Sequence, residues 1–156
     1  MHIVPQDKKT NAITNTQRIE AAMPTIVYCL ENGCKAVVLM SHLGRPDGHR
    51  VEKASLKPVV EVLNALLPKL SPKHAPKNGV IFVDDCVGDK VEAICASPEH
   101  GSVILLENLR FHAEEEGSSV HPETKEKKKA DPESVKKFRE SLTKLGDIYE
   151  IGRAHV

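Results

Sequence analysis

A chain of 156 residues suits one domain with a real core and is short for two. Its 22 basic and 22 acidic residues cancel, so no global field favours nucleic acid or an anionic membrane, and any phosphate affinity must be local. Aromatics are only 3% with no Trp, which leaves little for bases to stack on, while 40% hydrophobic and 28% charged residues fit a soluble globular protein.

In chain order, Thr14-Asn15-Thr16 offers cap residues before Ile19, Ala22, Met23, Ile26, Val27 and Leu30 recur at helical spacing. Asn32-Gly33 supplies the stop, and Pro24 is expected to bend this helix or end its first half. The apolar run Ala36 to Met40 reads as a buried strand, followed by a Gly/Pro-rich loop through Gly48. A second helix is expected from about Lys57 to Leu67, with Pro58 in its first turn and a proline-rich loop from Pro68 to Asn78. Val80 to Val83 reads as a strand, Gly88 to Ser97 as a helix, and Ser102 to Leu106 as a further strand. Alternating helices and wholly apolar strands predict an α/β fold, a parallel sheet with helices on both faces.

Beyond Phe111 the character changes. The run Lys125-Glu126-Lys127-Lys128-Lys129 is either a nucleic-acid patch or a solvated loop; flanking acids and missing aromatics favour the loop. Asp131-Pro132-Glu133 opens a last helix with Val135, Phe138, Leu142 and Leu145 on one face, and Asp147-Ile148-Tyr149 resembles the start of a strand. No apolar stretch approaches the ~18 residues of a membrane span, and the N-terminus lacks a secretory signal's apolar core. The four cysteines, Cys29, Cys34, Cys86 and Cys95, form no zinc-ligand or CxxC spacing. Cys29 and Cys95 fall inside apolar helical patterns and are read as buried structural thiols, in keeping with a cytoplasmic protein.

Two segments carry the chemistry: Ser41-His42-Leu43-Gly44-Arg45-Pro46 and Leu105-Leu106-Glu107-Asn108-Leu109-Arg110-Phe111. Each ends or follows a predicted parallel strand, and open α/β sheets bind ligands outside the carboxyl ends of their strands. His42, Arg45 and Arg110 can therefore converge on one anion, Arg supplying a bidentate fork for carboxylate or phosphate. The competing reading pairs Arg45 with a nearby carboxylate, leaves His42 a satisfied surface residue, and neutralises Arg110 with Glu107. Arg18 in the first turn of the opening helix sits where the helix dipole disfavours a cation, which favours retention for a ligand. No GxxxxGK phosphate loop, GxGxxG, zinc signature or G-x-S-x-G elbow occurs.

The segments Asn11 to Ile19, Val38 to Gly48, Asp85-Cys86-Val87-Gly88, Leu105 to Phe111 and Leu142 to Tyr149 closely resemble the N-terminal domain of phosphoglycerate kinase. The likeness runs from about Val4 to Tyr149, so residues 4–149 are read as part of that domain. In that family the N-terminal domain binds 3-phosphoglycerate or 1,3-bisphosphoglycerate, and a separate C-terminal domain binds Mg-ATP or Mg-ADP. The resemblance implies substrate-binding roles for Arg18, His42, Arg45 and Arg110. It implies for Arg18 the catalytic role of stabilising the transferring phosphoryl group. It also implies a cytoplasmic glycolytic enzyme, monomeric, with no nucleic-acid or membrane partner.

Three departures accompany the likeness. Of the family's Asp-Phe-Asn-Val-Pro opening only Val4-Pro5 remain. The strand and His/Arg-rich loop expected after Tyr149 do not follow, and neither does the nucleotide domain, so no cofactor-binding residue is expected in this chain. Residues 150–156, Glu150 to Val156, bear no likeness to the family and read like a translated sequencing adapter, hence as a non-native tail. The expectation is a catalytically incomplete fragment of the kinase; the alternative is a free-standing, non-catalytic binding module for small phosphorylated acids.

Overall fold

The computed structural model describes residue 13 and residues 15–151. The Val4-Pro5 segment, Thr14 and residues 152–156 lie outside the described residues.

Helix α1 spans Gln17–Glu31. Its start is satisfied by Asn15 rather than Thr16: the Gln17 backbone N–H donates to Asn15 Oδ1 at 2.8 Å. Pro24 does not end the helix, which runs unbroken through it. The proline removes one donor to the Glu20 carbonyl, but both residues lie on the exposed face, where water can replace the bond. Ile19, Met23, Ile26 and Leu30, three or four positions apart, form the buried stripe.

Strand β1 (Ala36–Leu39) follows and stops one residue short of Met40. Its residues are half-buried rather than fully buried, because among the described residues it has a strand neighbour on one side alone. Helix α2 spans Val59–Leu70 and therefore carries Pro68, where the sequence pattern predicts the start of a loop. The loop begins at Ser71, whose backbone N–H still reaches the Leu67 carbonyl at 2.9 Å. Strand β2 (Ile81–Val83), helix α3 (Asp89–Ala96) and strand β3 (Ser102–Leu106) complete the alternation.

The three strands form one parallel sheet in the order β1-β3-β2, with Ala36 opposite Ser102 and Val83 opposite Leu106. Strand β3 is central, and all five of its residues are buried. Because successive strand side chains point to opposite faces, β3 feeds two cores. Val103 and Leu105 join α1 and α2 through Met23, Ile26, Leu63 and Leu67. Ile104 and Leu106 join Val91 of α3, together with Phe138 and Leu145 of the C-terminal segment. Helices thus cover both faces, as the alternation predicts.

After β3 comes a 3-10 turn, Leu109–Phe111, then a short helix α4 (Ala113–Glu116) ended by Gly117 at φ 74. The expected lysine loop is instead half of an antiparallel hairpin. Strand β4 (Ser118–Val120) pairs with β5 (Lys127–Lys129). All three lysines of β5 are exposed, so the run is solvated as anticipated but held by backbone pairing, which side-chain polarity does not reveal. Helix α5 (Pro132–Thr143) opens on Asp131, whose carboxylate accepts from the Ser134 N–H at 2.9 Å. Asp147 to Tyr149 form no strand; Ile148 is 89% and Tyr149 76% exposed. Cys29 and Cys95 are half-buried, and the wholly buried thiol is Cys86.

Ile104 is fully buried at the centre of the sheet. Ile104→Ala should lower unfolding free energy by about 2–5 kcal/mol through lost burial and a cavity, whereas Leu70→Ala, half exposed at the end of α2, should change it by less than about 1 kcal/mol. Urea denaturation of the two variants checks both.

Candidate functional site

Parallel strands place their carboxyl ends along one edge, so the segments after β1, β2 and β3 gather there. A buried pair from β3 organises them. Glu107 and Asn108 are each 1% exposed. The Glu107 carboxylate accepts from Ser55 Oγ at 2.7 Å, the Leu56 N–H at 2.7 Å and the Asn108 N–H at 2.8 Å. Arg50 Nη2 lies 3.8 Å from the same carboxylate. The Asn108 amide donates to the carbonyls of Leu43 at 2.7 Å and Ala54 at 2.9 Å, and its Oδ1 accepts from the Arg110 N–H at 3.0 Å.

Further backbone bonds bind the same loops. The Leu109 N–H donates to the Ser41 carbonyl at 3.1 Å, and the Gly48 N–H to the Arg110 carbonyl at 3.3 Å. Gly48 has φ +79, and a Cβ there would lie 2.9 Å from the Ser119 Cβ and 3.1 Å from the Ala113 backbone. Only glycine fits that crossing. Gly44 also has positive φ, +66, but open space surrounds it.

The structure brings Arg110 onto the His42–Arg45 loop directly: its Nη1 donates to the Gly44 carbonyl at 3.1 Å. Its ion-pair partner is not Glu107 but Glu116 of α4, at 3.2 Å from Nε. Glu107 is already occupied by donors from the segment before α2, so the acid adjacent in sequence is not the acid adjacent in space. His42 is half-buried and Arg45 exposed. Arg18 is exposed in the first turn of α1. Because a short turn returns α1 into β1, the helix runs antiparallel to the strand and its first turn lies toward the strand's carboxyl end.

The segment after β2 adds a second polar cluster. Asp85 Oδ1 accepts from His112 Nε2 at 2.6 Å, and the His112 ring lies 5.4 Å from that of Phe138. The bond to Asp85 raises the His112 pKa above its ordinary value against the opposing effect of burial. Burial would raise Asp85, but the His112 bond and the backbone N–H groups of Cys86 and Val87 outweigh it and hold the carboxyl below its usual range. Ligand atoms of Asp85, Cys86 and His112 lie within 4.8 Å of one another. Two donors about 2.1 Å from one tetrahedral ion would stand roughly 3.4 Å apart, so the 2.6 Å contact is that of a hydrogen-bonded pair. Burial, then Asp85 and Glu115, pushes the Cys86 thiol far up, which keeps it protonated and a poor ligand.

Sequence reasoning passed over Ser55, Arg50, Asp85, His112 and Glu116. One signal was available: an acid and an amide directly after a wholly apolar strand are carried into the interior and must find partners there.

The family model for phosphoglycerate kinase matches residues 2–151. The chain belongs to the phosphoglycerate kinase family. It is 59% identical over 97% of its length to phosphoglycerate kinase of Dictyostelium discoideum, and 61% identical over 94% to a probable phosphoglycerate kinase of Caenorhabditis elegans. It spans 34% of the length of each of these relatives. Among solved structures, phosphoglycerate kinase from Pyrococcus horikoshii OT3 superposes with a TM-score of 0.57 at 30% identity, over 73% of this chain and 25% of that one. No described helix is long and apolar enough to cross a membrane.

Two outcomes follow from this geometry. Asn108→Ala strands the Leu43 and Ala54 carbonyls and should cost about 2–4 kcal/mol, since each buried unsatisfied group costs about 1–3 kcal/mol; urea titration against the exposed-site variant Arg45→Ala checks it. The Asp85–His112 pair stabilises the fold between its two titrations. Asp85 loses its contribution as pH falls through its lowered pKa, and His112 loses its own as pH rises through its raised one. NMR titration should place His112 above the ordinary value of about 6.5, and Asp85→Asn should bring it down.

Proposed function

We propose that this chain carries the acid-substrate half of a phosphoglycerate kinase, the part that holds 3-phosphoglycerate or 1,3-bisphosphoglycerate while the remainder of the enzyme presents ADP or ATP. The observation that carries the reading is the 3.1 Å bond from Arg110 to the Gly44 carbonyl. It fastens two basic strand-end loops together at the sheet edge where open α/β folds bind ligands. Residues 4–149 are then part of the family's N-terminal domain, residues 150–156 a non-native tail, and the enzyme a cytoplasmic monomer of glycolysis.

In this reading Arg45, Arg110 and His42 bind the phosphate and carboxylate of the three-carbon acid. Arginine forks match both groups bidentately. Arg18 takes the catalytic role, its guanidinium stabilising the charge on the oxygens of the phosphoryl group as it passes between the acid's carboxylate and the nucleotide. The acyl phosphate P–O bond breaks, the electron pair leaves on the carboxylate, and a terminal oxygen of ADP forms the new P–O bond. Reversal gives 1,3-bisphosphoglycerate and ADP. Magnesium bound with the nucleotide neutralises phosphate charge in such reactions.

The carboxylates at this edge do not fit that metal: those of Glu107 already accept three near donors, and Asp85 holds His112. The nucleotide and its metal therefore belong to the two thirds of the relatives' length that this chain does not span. Positioning alone can be worth ~7–11 kcal/mol of barrier. We therefore expect no phosphoryl transfer from the 156 residues by themselves.

Calorimetric titration with 3-phosphoglycerate tests the reading. Weak binding that falls with rising salt is expected, and Arg45→Ala should weaken it by about 1.5–3 kcal/mol through loss of a charge-assisted bond. Glu116→Gln, which frees Arg110 from its competing carboxylate, should tighten it. Equal affinity in the parent and Arg45→Ala would assign the basic cluster a structural role only.

A further inference from the structure

We propose that Cys29 and Cys34 form a dithiol site at the carboxyl end of α1, one that closes to an intrachain disulfide by exchange with low-molecular-weight disulfides. The turn that ends α1 fixes their relation. Gly33 adopts φ +81, its N–H donates to the Leu30 carbonyl at 3.3 Å, and the Cys34 N–H donates to the Cys29 carbonyl at 3.1 Å. Those paired 5→2 and 6→1 bonds are a Schellman motif, which ordinarily brings the side chains at its third-last helical position and its second post-helical position into contact. Here both positions are cysteine. The motif therefore sets Cys34 against Cys29 across the end of α1.

The remaining cysteines differ. Cys86 is wholly buried, and Cys95, though half-buried, is the single cysteine of α3. Cys29 and Cys34, both half-buried, share one turn whose other residues, Glu31, Asn32 and Gly33, are exposed together with Lys35. A small disulfide can reach that turn without unfolding the core. The site lies at the opposite end of α1 from Arg18, so it is separate from the anion-binding loops.

The exchange balances without further reagents. The Cys34 thiolate attacks the external disulfide, forms a mixed disulfide and releases one small thiolate. Burial, then the neighbouring Cys34 thiol, raise the Cys29 thiol above its ordinary pKa, so it acts second. The Cys29 thiolate then attacks the Cys34 sulfur, forming the S–S bond and expelling the second small thiolate. The external disulfide gains two electrons, the cysteine pair loses two, and the two thiol protons pass to the released thiolates or to solvent.

The purified chain, equilibrated with glutathione and glutathione disulfide, acid-quenched, alkylated and digested with trypsin, tests the proposal. Cys29 and Cys34 fall in one tryptic peptide, Ile19 to Lys35. We expect that peptide to appear lighter by two hydrogens and resistant to alkylation, while Cys86 remains free. The closed form should be favoured at least about tenfold more in native buffer than in urea, because the folded turn raises the effective concentration of the second thiol. In Cys29→Ser the Cys34–glutathione adduct should persist unresolved. Equal closure in native buffer and urea, or a native peptide that stays open while glutathione accumulates on Cys34, would overturn the proposal.

Discussion

A carboxylate taken out of water costs several kcal/mol unless its lone pairs are satisfied. Glu107 is 1% exposed and meets that condition with three near donors from two separate segments of chain. The neighbouring Asn108 does the complementary work, donating to carbonyls on the loop after β1 and on the turn before α2. Together they convert the end of strand β3 into a polar hub around which the loops bearing His42, Arg45 and Arg110 are arranged. Apolar packing alone would leave these loops undefined, because burial is non-directional whereas hydrogen bonds fix position and angle.

The hub also explains how the basic cluster is tuned. With Glu107 committed to the interior, the charge on Arg110 is balanced by Glu116 and by the Gly44 carbonyl. That ion pair is partly exposed, so it holds the two side chains together only modestly. The acidic turn of α4 thus supplies the counter-ion of Arg110. Glu115, beside it, is pushed up by burial and by Glu116 against the opposing pull of Arg110. Arg45 needs no such arrangement because it faces water.

The periodicity of the sequence carried the architecture. Four consecutive apolar residues in β3, the stripe Ile19-Met23-Ile26-Leu30 and the Asp131-Pro132 helix start each reflect a local rule, and each forms as the rule predicts. Where local rules failed, a longer-range interaction decided. Pro68 sits within α2, not beyond it, and the lysine run pairs in a hairpin although nothing in its side chains favours a strand. Asp147 to Tyr149 stay unpaired because a strand exists only through a neighbour.

The sequence by itself determined the α/β class, the family, and the strand-end segments that hold the candidate anion ligands. Residue type and spacing suffice for those. Only the tertiary structure decided which groups meet: Arg110 with Glu116, Glu107 with Ser55 and Leu56, Asp85 with His112 and Cys29 with Cys34. Most of these partners lie well apart in sequence, and the turn that joins the two cysteines depends on the left-handed backbone of Gly33. Partner choice follows from chain geometry, which composition and periodicity do not encode.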